Sequence, residues 1–247
     1  VAEHFQLRLA ESRMIAPSVR HMAFERADGA MLDFIPGQFL QIHFHYEDGK
    51  ATKRSYSVAT VGAGSGPVRR IEIAVSYVDG GAATNLLSNL PEGGEVEASG
   101  PYGRFCLMET DQNHRYLLVA TGTGVTPYRA MLPLLAKLDV RGAEVALVYG
   151  ARNEEELLYG EEFEAFAKDH RHFSFYPCFS RTPRAAPRAN DRNGRVQVAL
   201  TELKPDPARD IAYLCGNPDM VDQSFAQLKE AGLAIHHIRR EKYVSSR

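Results

Sequence analysis

The sequence predicts an N-terminal antiparallel β-barrel followed by a parallel-sheet α/β domain, and three observations carry that prediction. Short segments of alternating apolar residues, separated by Gly, Pro and Asp, fill the first part of the chain, which is the pattern of a small barrel. From about residue 114 continuous apolar runs alternate with helical periodicity, as a parallel sheet with crossover helices requires. A length of 247 residues accommodates two modest domains. The polar segment METDQNHR (108–115) is the linker, so the expected domains are 1–112 and 113–247.

In the first domain FLQIHFHY (39–46) alternates and SYSVAT (55–60) follows it. RIEIAVSYV (70–78) alternates cleanly, with Ile71, Ile73, Val75 and Tyr77 on one face. EVEASGPYGRF (95–105) is a further strand entering a Gly/Pro turn, and a short helix near TNLLSNL (84–90) interrupts the series. In the second domain RYLLVATG (115–122) reads as a buried parallel strand ending in glycine. The helical stretch 126–139 follows, and Pro133 is expected to kink or divide it. Then come EVALVYGAR as strand, EELLYGEEFEAFAKDH as helix and FSFYPCFSR as strand. After a polar, Arg- and Pro-rich loop (181–195), VQVALTEL reads as helix, DIAYLCGNP as strand and DMVDQSFAQLKEAG as helix.

Composition narrows the function. A net charge of -2 argues against nucleic acid as the main partner. No apolar run is long enough to span a bilayer and no signal-peptide start is present, so a membrane partner is not expected. Cys106, Cys178 and Cys215 are widely spaced and odd in number, which fits neither a disulfide framework nor a zinc or iron–sulfur spacing. No metal is expected, and the cytoplasm is the expected setting.

The second domain carries the signals of a nucleotide site. In ATGTGVTP (120–127) Gly122 and Gly124 allow close backbone approach, and the following helix N-terminus offers free amides. Thr126 is the expected N-cap, with Pro127 in the first turn. Alone, G-x-G-x-x-P fits a tight strand–helix turn as well as a ligand loop. The second strand ends in Gly150-Ala151-Arg152 without the acid that binds the ribose diol of NAD, and the third ends in Ser180-Arg181. Two arginines and a serine at the carboxyl edge suit a 2′-phosphate, with Arg195 as a third cation; any one of them alone reads as a solvated loop charge. Cys215 ends the last strand, where nicotinamide would bind, with Gly216 giving access and Asn217-Pro218 starting a helix. A small buried hydrophobe is the bland account of Cys215.

In the first domain KRSYSVAT (53–60) packs an anion-binding fork, a flat ring and a hydroxyl into four residues, Arg54, Tyr56 and Ser57. In an extended segment Arg54 and Tyr56 face one way, Ser55 and Ser57 the other. The bland account is an amphipathic barrel strand with a solvated arginine.

With these residues assembled, the chain resembles the ferredoxin–NADP reductase family, in particular its bacterial ferredoxin/flavodoxin reductases. RSYS (54–57) is similar to the flavin motif R-x-Y-S, and GGAAT (80–84, with Gly81, Ala82, Ala83 and Thr84) to the second flavin-phosphate motif. GTGVTP (122–127), with Thr123, Gly124 and Thr126, is similar to the NADP-pyrophosphate loop. SR at 180–181 resembles the 2′-phosphate pair, and CGNPDMV (215–221) the nicotinamide-side motif. Each is unspecific alone; all five stand in the family's order along essentially the whole chain. The resemblance implies FAD and NADP(H) as cofactors. It implies that Arg54 binds the flavin pyrophosphate, that Tyr56 lies against the isoalloxazine, and that Ser57 hydrogen-bonds near its reactive nitrogen. Thr84 would open a helix facing the pyrophosphate, and the backbone of Val75 and Ser76 would contact the ring. Tyr243 is the one aromatic of the C-terminal IRREKYVSSR, an ending that matches no family pattern; it either covers the flavin or is an exposed tail residue.

The expected activity is electron transfer between NADPH and a separate one-electron carrier, ferredoxin or flavodoxin, by a monomer, with Ser57, Cys215 and Tyr243 as catalytic residues. Two alternatives stand beside it. One is a flavin reductase or the reductase component of an oxygenase, since GPYGRF (100–105) also occurs there. The other is a non-catalytic FAD-binding redox sensor.

Overall fold

The longest strand is one that the sequence reading passed over: β1 (Glu3–Ala16) turns Phe5, Leu7 and Leu9 inward and Gln6 and Arg8 outward, the period of two that a half-buried strand demands. In this computed structural model the described residues are 3–46, 48–63, 66–77 and 81–243, without the side chain of Ala82. Val78, Gly80 and the four C-terminal residues of the motifs above lie outside the described residues. A second strand also escaped the sequence reading, β2 (Val19–Arg26). It is followed by β3 (Phe39–His45), β4 (Ala51–Ser57), β5 (Ile71–Ser76), helix α1 (Ala82–Asn89) and β6 (Glu95–Tyr102).

The six strands form one sheet in the order β4-β3-β6-β1-β2-β5, and every pairing is antiparallel. Its two edges are joined beyond the end of β4: Ala59 N donates to Glu72 O (2.7 Å) and Glu72 N to the Thr60 hydroxyl (2.8 Å). An edge that would otherwise present unpaired backbone is closed in this way. Leu7, Leu9, Met22, Phe24, Leu40, Ile42, Ile71 and Ile73 fill the interior.

The chain divides into two compact units. The first takes in residues up to Leu107 together with Thr126–Pro133, and the second takes in Met108–Val125 and continues from Leu134. In the first unit Arg129 donates to Ala59 O (2.8 Å) and to Glu72 Oε2 (2.7 Å), so the seam of the barrel is capped by a guanidinium. Burial pushes the Glu72 carboxyl up, but hydrogen bonds from His21 and Arg129 outweigh it and hold the group well below the usual carboxylate range.

The second unit is built on β7 (Arg115–Thr121), β8 (Glu144–Ala151), β9 (Phe173–Phe179), β10 (Arg192–Asn193), β11 (Asp210–Gly216) and β12 (Ile238–Lys242). They lie in the order β10-β9-β8-β7-β11-β12, all parallel. The residues of β7 from Arg115 to Ala120 are all buried, as a strand covered on both faces must be. Helices α2 (Thr126–Lys137), α3 (Gly160–Asp169), α4 (Val196–Leu203) and α5 (Pro218–Glu230) alternate with these strands. Two expectations change here. Pro133 does not divide α2, which runs unbroken across it. The C-terminal segment expected as a tail instead supplies β12, paired with β11 from Ala212–Ile238 to Gly216–Lys242.

The amino edge of the second sheet is fixed by a buried ion pair, Arg115 Nη2 to Asp210 Oδ2 at 2.6 Å and Nε to Oδ1 at 2.8 Å. The same guanidinium donates to the carbonyls of Leu203 and Lys204, so each of its nitrogens has an acceptor. A buried pair satisfied to this degree avoids the penalty of an orphaned charge. The opposite, carboxyl edge is where the candidate nucleotide residues gather.

Candidate cofactor-binding site

On the barrel, β4 carries the RSYS segment. Arg54 pairs in register with Ile42 and Tyr56 with Leu40, so both side chains lie on the face that turns toward the core. Tyr56 packs partly against that core, and burial pushes its phenol up to about 12, so it stays neutral. Arg54 donates to Lys53 O (2.9 Å), and among the described residues no acid pairs with it. An unneutralised guanidinium of this kind fits a phosphate. Ser55 is exposed while Ser57 is buried, because Ser57 begins a run, Ser57–Thr60, that is buried throughout. Val75 is buried in β5 and Ser76 is exposed at its end.

The helix expected to open at Thr84 opens two residues earlier. Gly81 is the N-cap of α1, Ala82 its first residue, and Thr84 lies third, behind a buried Ala83. The reason is that Gly81 adopts the extended cap conformation, with its carbonyl accepting from Asn85 N at 2.9 Å. No acid stands in the first turn, so its amides are compatible with an anion.

At the carboxyl edge of the second sheet a 3-10 turn, Gly122–Val125, joins β7 to α2. The N-cap is therefore Val125, in helical conformation, and the expected Thr126 cap is corrected: the 3-10 turn already supplies helical geometry, and Thr126 is the first α-helical residue, with Pro127 next. The glycines of this turn have different reasons. Gly122 has φ +53° with open space where a side chain would stand. A Cβ on Gly124 would lie 2.3 Å from Cys215 O, so its missing side chain makes room for the backbone of β11. Gly216 follows the same rule: φ is +132°, and a Cβ would come within 2.6 Å of Thr121 O. Both were expected to clear space for a ligand; in the structure their first service is to let two strand ends touch.

Thr121, which the sequence reading did not single out, knits these ends further by accepting from Asn217 N at 3.1 Å. Asn217 caps α5, its side-chain oxygen accepting from Asp219 N (2.9 Å) and Met220 N (3.3 Å). The fully buried Tyr149 donates its hydroxyl proton to Gly122 O (3.0 Å) and accepts from Leu158 N (3.2 Å), tying the glycine turn to the segment that precedes α3.

The cations stand at the neighbouring strand ends. Arg152 directly follows β8, and Ser180 and Arg181 directly follow β9. Arg181 N and Thr182 N both donate to Arg152 O at 3.0 Å, and Ser180 N donates to Ala151 O at 2.9 Å, so the two ends are stitched together. Arg181 is exposed, as is Arg195 at the N-cap of α4, and among the described residues no acid pairs with either. Arg152 differs. It is already engaged by Glu156, with Nε 2.6 Å from Oε2 and Nη2 2.5 Å from Oε1.

Cys215 is fully buried, and its thiol is pushed well up by burial and by the charge of Glu241, against a hydrogen bond with Tyr243 that pulls it down. It is a neutral thiol, not a nucleophile. Glu241 stands opposite Cys215 in the β11–β12 register, and burial pushes its carboxyl up to about 7. Sequence reasoning misses Glu241 because IRREK (238–242) shows no apolar alternation; its strand character comes from pairing with β11. Tyr243 N donates to Gly216 O at 2.8 Å, which settles the tail residue as part of this edge.

Two family models match the chain: an oxidoreductase FAD-binding domain over residues 6–106 and an oxidoreductase NAD-binding domain over residues 118–225. Ferredoxin–NADP reductase B of Sorangium cellulosum (strain So ce56) is 34% identical over 98% of this chain and 98% of its own. The phenol hydroxylase P5 protein of Acinetobacter pittii (strain PHEA-2) is 28% identical over 100% of this chain but only 67% of its own length. Among solved structures, the cytochrome P450 reductase GcoB of Amycolatopsis superposes with a TM-score of 0.82 at 29% identity, over 98% of this chain and 70% of that one.

Proposed function

Since this chain belongs to the ferredoxin–NADP reductase family, with FAD-binding and NAD(P)-binding domains, we propose that it is a ferredoxin/flavodoxin–NADP reductase carrying electrons between NADPH and a separate one-electron carrier. The observation that carries this reading is the likeness to the Sorangium cellulosum reductase, 34% identical along 98% of both chains. FAD supplies the needed chemistry when bound: it takes up the two electrons of a hydride and gives them on singly.

In this reading residues 1–112 hold FAD and residues 113–247 hold NADP(H). Arg54 takes the flavin pyrophosphate, assisted by first-turn amides at Gly81, Ala82, Ala83 and Thr84. Tyr56, the Ser57 hydroxyl and the backbone of Val75 and Ser76 would hold the flavin ring system, the phenol by stacking and the hydroxyl by a hydrogen bond. In the second unit Thr123, Gly124 and Thr126 present backbone and hydroxyl groups to the dinucleotide pyrophosphate. Arg152, Ser180, Arg181 and Arg195 take the 2′-phosphate. Cys215, Gly216 and Asn217 border the nicotinamide, with Tyr243 hydrogen-bonded to Cys215 at the same edge. Glu241 stands opposite Cys215 at that edge, its carboxyl raised by burial to about 7. Among the described residues no helix is long and apolar enough to cross a membrane.

A second reading has specific support. The Acinetobacter relative is a phenol hydroxylase protein and the Amycolatopsis one a cytochrome P450 reductase by name, and the same fold and site residues would serve a chain that hands electrons to an oxygenase.

Stopped-flow reoxidation of the NADPH-reduced holoprotein by ferredoxin, flavodoxin and free flavin tests the choice. Ferredoxin or flavodoxin should be reduced at least ten-fold faster than free flavin, on the order of a 1.4 kcal/mol lower barrier. Arg181→Ala should raise the NADPH Michaelis constant about ten- to a hundred-fold and leave NADH nearly untouched, since one charge-assisted contact is lost. Equal loss with both nucleotides would move Arg181 out of the 2′-phosphate site.

A further inference from the structure

The sequence offers no acid at the end of β8, yet folding returns one to that place. Three glutamates occupy the 3-10 turn Glu154–Glu156 that follows β8, and the turn divides them. Glu154 is drawn to the buried Arg184, with its Oε1 2.9 Å from the Arg184 Nε. Glu155 is exposed. Glu156 is turned to Arg152 and grips the Nε/Nη2 edge of its guanidinium, at 2.6 and 2.5 Å. It is itself fixed at its backbone, where its N–H donates to the Asn153 side-chain oxygen at 3.2 Å. The pair sits on the strand end whose carbonyl, Arg152 O, accepts from Arg181 N, so it shares an edge with the cation that has no acidic partner among the described residues.

We infer that Glu156 is the residue that sets how strongly this chain prefers NADPH to NADH, because it competes with the 2′-phosphate for Arg152. The inference rests on the assignment of Arg152, Ser180 and Arg181 to that phosphate. A dianion entering the site meets Arg181 and Arg195, with which no acid pairs among the described residues, and Arg152, which Glu156 already occupies. To use Arg152 it must displace a carboxylate or lie beside it, and a like charge at that distance is repulsive. NADH brings no such charge and is indifferent to the exchange. The structure therefore tempers the preference that its arginines alone would produce.

The test is binding of adenosine 2′,5′-bisphosphate and of AMP to the FAD-loaded protein by calorimetry. Wild type is compared with Glu156→Gln, Arg152→Ala, Arg181→Ala and the Arg152→Ala/Glu156→Gln pair. Glu156→Gln keeps the shape and removes the charge. It should tighten the bisphosphate about three- to ten-fold and change AMP by less than two-fold. In the Arg152→Ala background the gain should shrink by half or more, since the competition has lost its object. Steady-state NADPH over NADH preference should rise in parallel. If Arg152→Ala and Arg181→Ala weaken the bisphosphate but Glu156→Gln leaves it unchanged or weaker, the inference about Glu156 is wrong and the phosphate assignment stands. If neither arginine variant alters the ratio of bisphosphate to AMP affinity, the assignment itself falls and the inference with it. A purely structural role for Glu156 would lower the melting temperature and leave that ratio where it was.

Discussion

β4 and β11 both end at candidate cofactor positions, and they prepare those positions by different means. β4 offers side chains: a guanidinium with which no acid pairs among the described residues, a neutral phenol and a buried hydroxyl at Arg54, Tyr56 and Ser57. β11 offers backbone: its last residue, Gly216, and Gly124 from the facing turn lack side chains because each would strike main-chain atoms of the other strand's end. A side-chain site loses one contact when one residue is changed. A backbone site loses its shape.

The sharpest way to break this contrast is Gly124→Ala. The added carbon would lie 2.3 Å from Cys215 O and 2.6 Å from Gly216 Cα, neither of which belongs to a flexible side chain. Separating the strand ends should cost roughly 1–3 kcal/mol of stability. Misplacing the turn by about 1 Å should slow flavin reduction by NADPH on the order of a hundred-fold, with FAD content preserved. Stopped-flow reduction beside a flavin assay measures both. Gly122→Ala is the companion, since there a side chain has open space and only the φ of +53° to pay for. An equally large loss there would mean that a ligand, not the protein, needs the gap.

On the β4 side the matching change is Arg54→Ala, and its effect should be smaller. Removing one charge-assisted contact should weaken FAD binding about ten- to a hundred-fold, read by fluorescence of the flavin released on dilution. NADPH affinity of the protein reloaded with FAD should not move. Undiminished flavin affinity would return Arg54 to the solvated arginine of an ordinary barrel strand.

The same contrast explains what the sequence made legible. Side-chain chemistry is written in residue types, so Arg54, Tyr56, Ser180 and Arg181 stand out as candidates directly, and strong apolar runs such as β7 locate the parallel sheet. Pairings between distant residues are not written there. β1 was missed although Phe5, Leu7 and Leu9 alternate, because its outward residues are mixed and its second half, from Glu11 onward, loses the alternation. β12 was missed because only Ile238 of its five residues is fully buried; its strand character comes from pairing with β11. Glu241 and Glu156 went unread for the same reason. Each gains its meaning from a partner brought close by folding, Cys215 across a register and Arg152 across one helical turn. Gly124 and Gly216 could be read as clearing space for a ligand, but their approach to the protein's own backbone shows only in the fold.

Glu241 extends the comparison to pH. Its carboxyl is raised from an ordinary 4.5 to about 7 by burial, so the folded state holds a proton that the unfolded chain releases. Its stabilising effect is complete below pH 4.5 and is lost as the pH rises through 7. The full swing is roughly 1–3 kcal/mol, the lower part of the range allowing for partial exposure. Glu241→Gln cannot ionise. It should match the wild type at pH 4 and exceed it in stability at pH 8, by urea unfolding at each pH. Parallel curves across that interval would mean that the carboxyl is not desolvated.

Cys215→Ala is the smallest of these changes and the one in which both kinds of site meet, because a side chain is altered on the strand whose backbone forms the cradle. The thiol is fully buried and neutral, and its partner is the Tyr243 side chain. Alanine leaves Gly216, Asn217 and Thr121 in place, so the backbone contacts of the turn survive. The cavity left by one sulfur should lower stability by roughly 1 kcal/mol. If the thiol borders the nicotinamide, the limiting rate of flavin reduction should also fall, by about ten-fold, which is the same 1.4 kcal/mol scale read as a barrier. NADPH affinity and FAD content should be retained. Cys215→Ser separates the two accounts further, because a hydroxyl keeps a hydrogen bond to Tyr243 while being worse than a thiol in an apolar strand. A structural cysteine would make serine the less stable variant with an unchanged rate in both. A cysteine that positions Tyr243 and borders the reacting ring would let serine recover part of the rate that alanine loses, despite its lower melting temperature. Single-turnover reduction and melting curves on the three proteins place the residue on one side or the other.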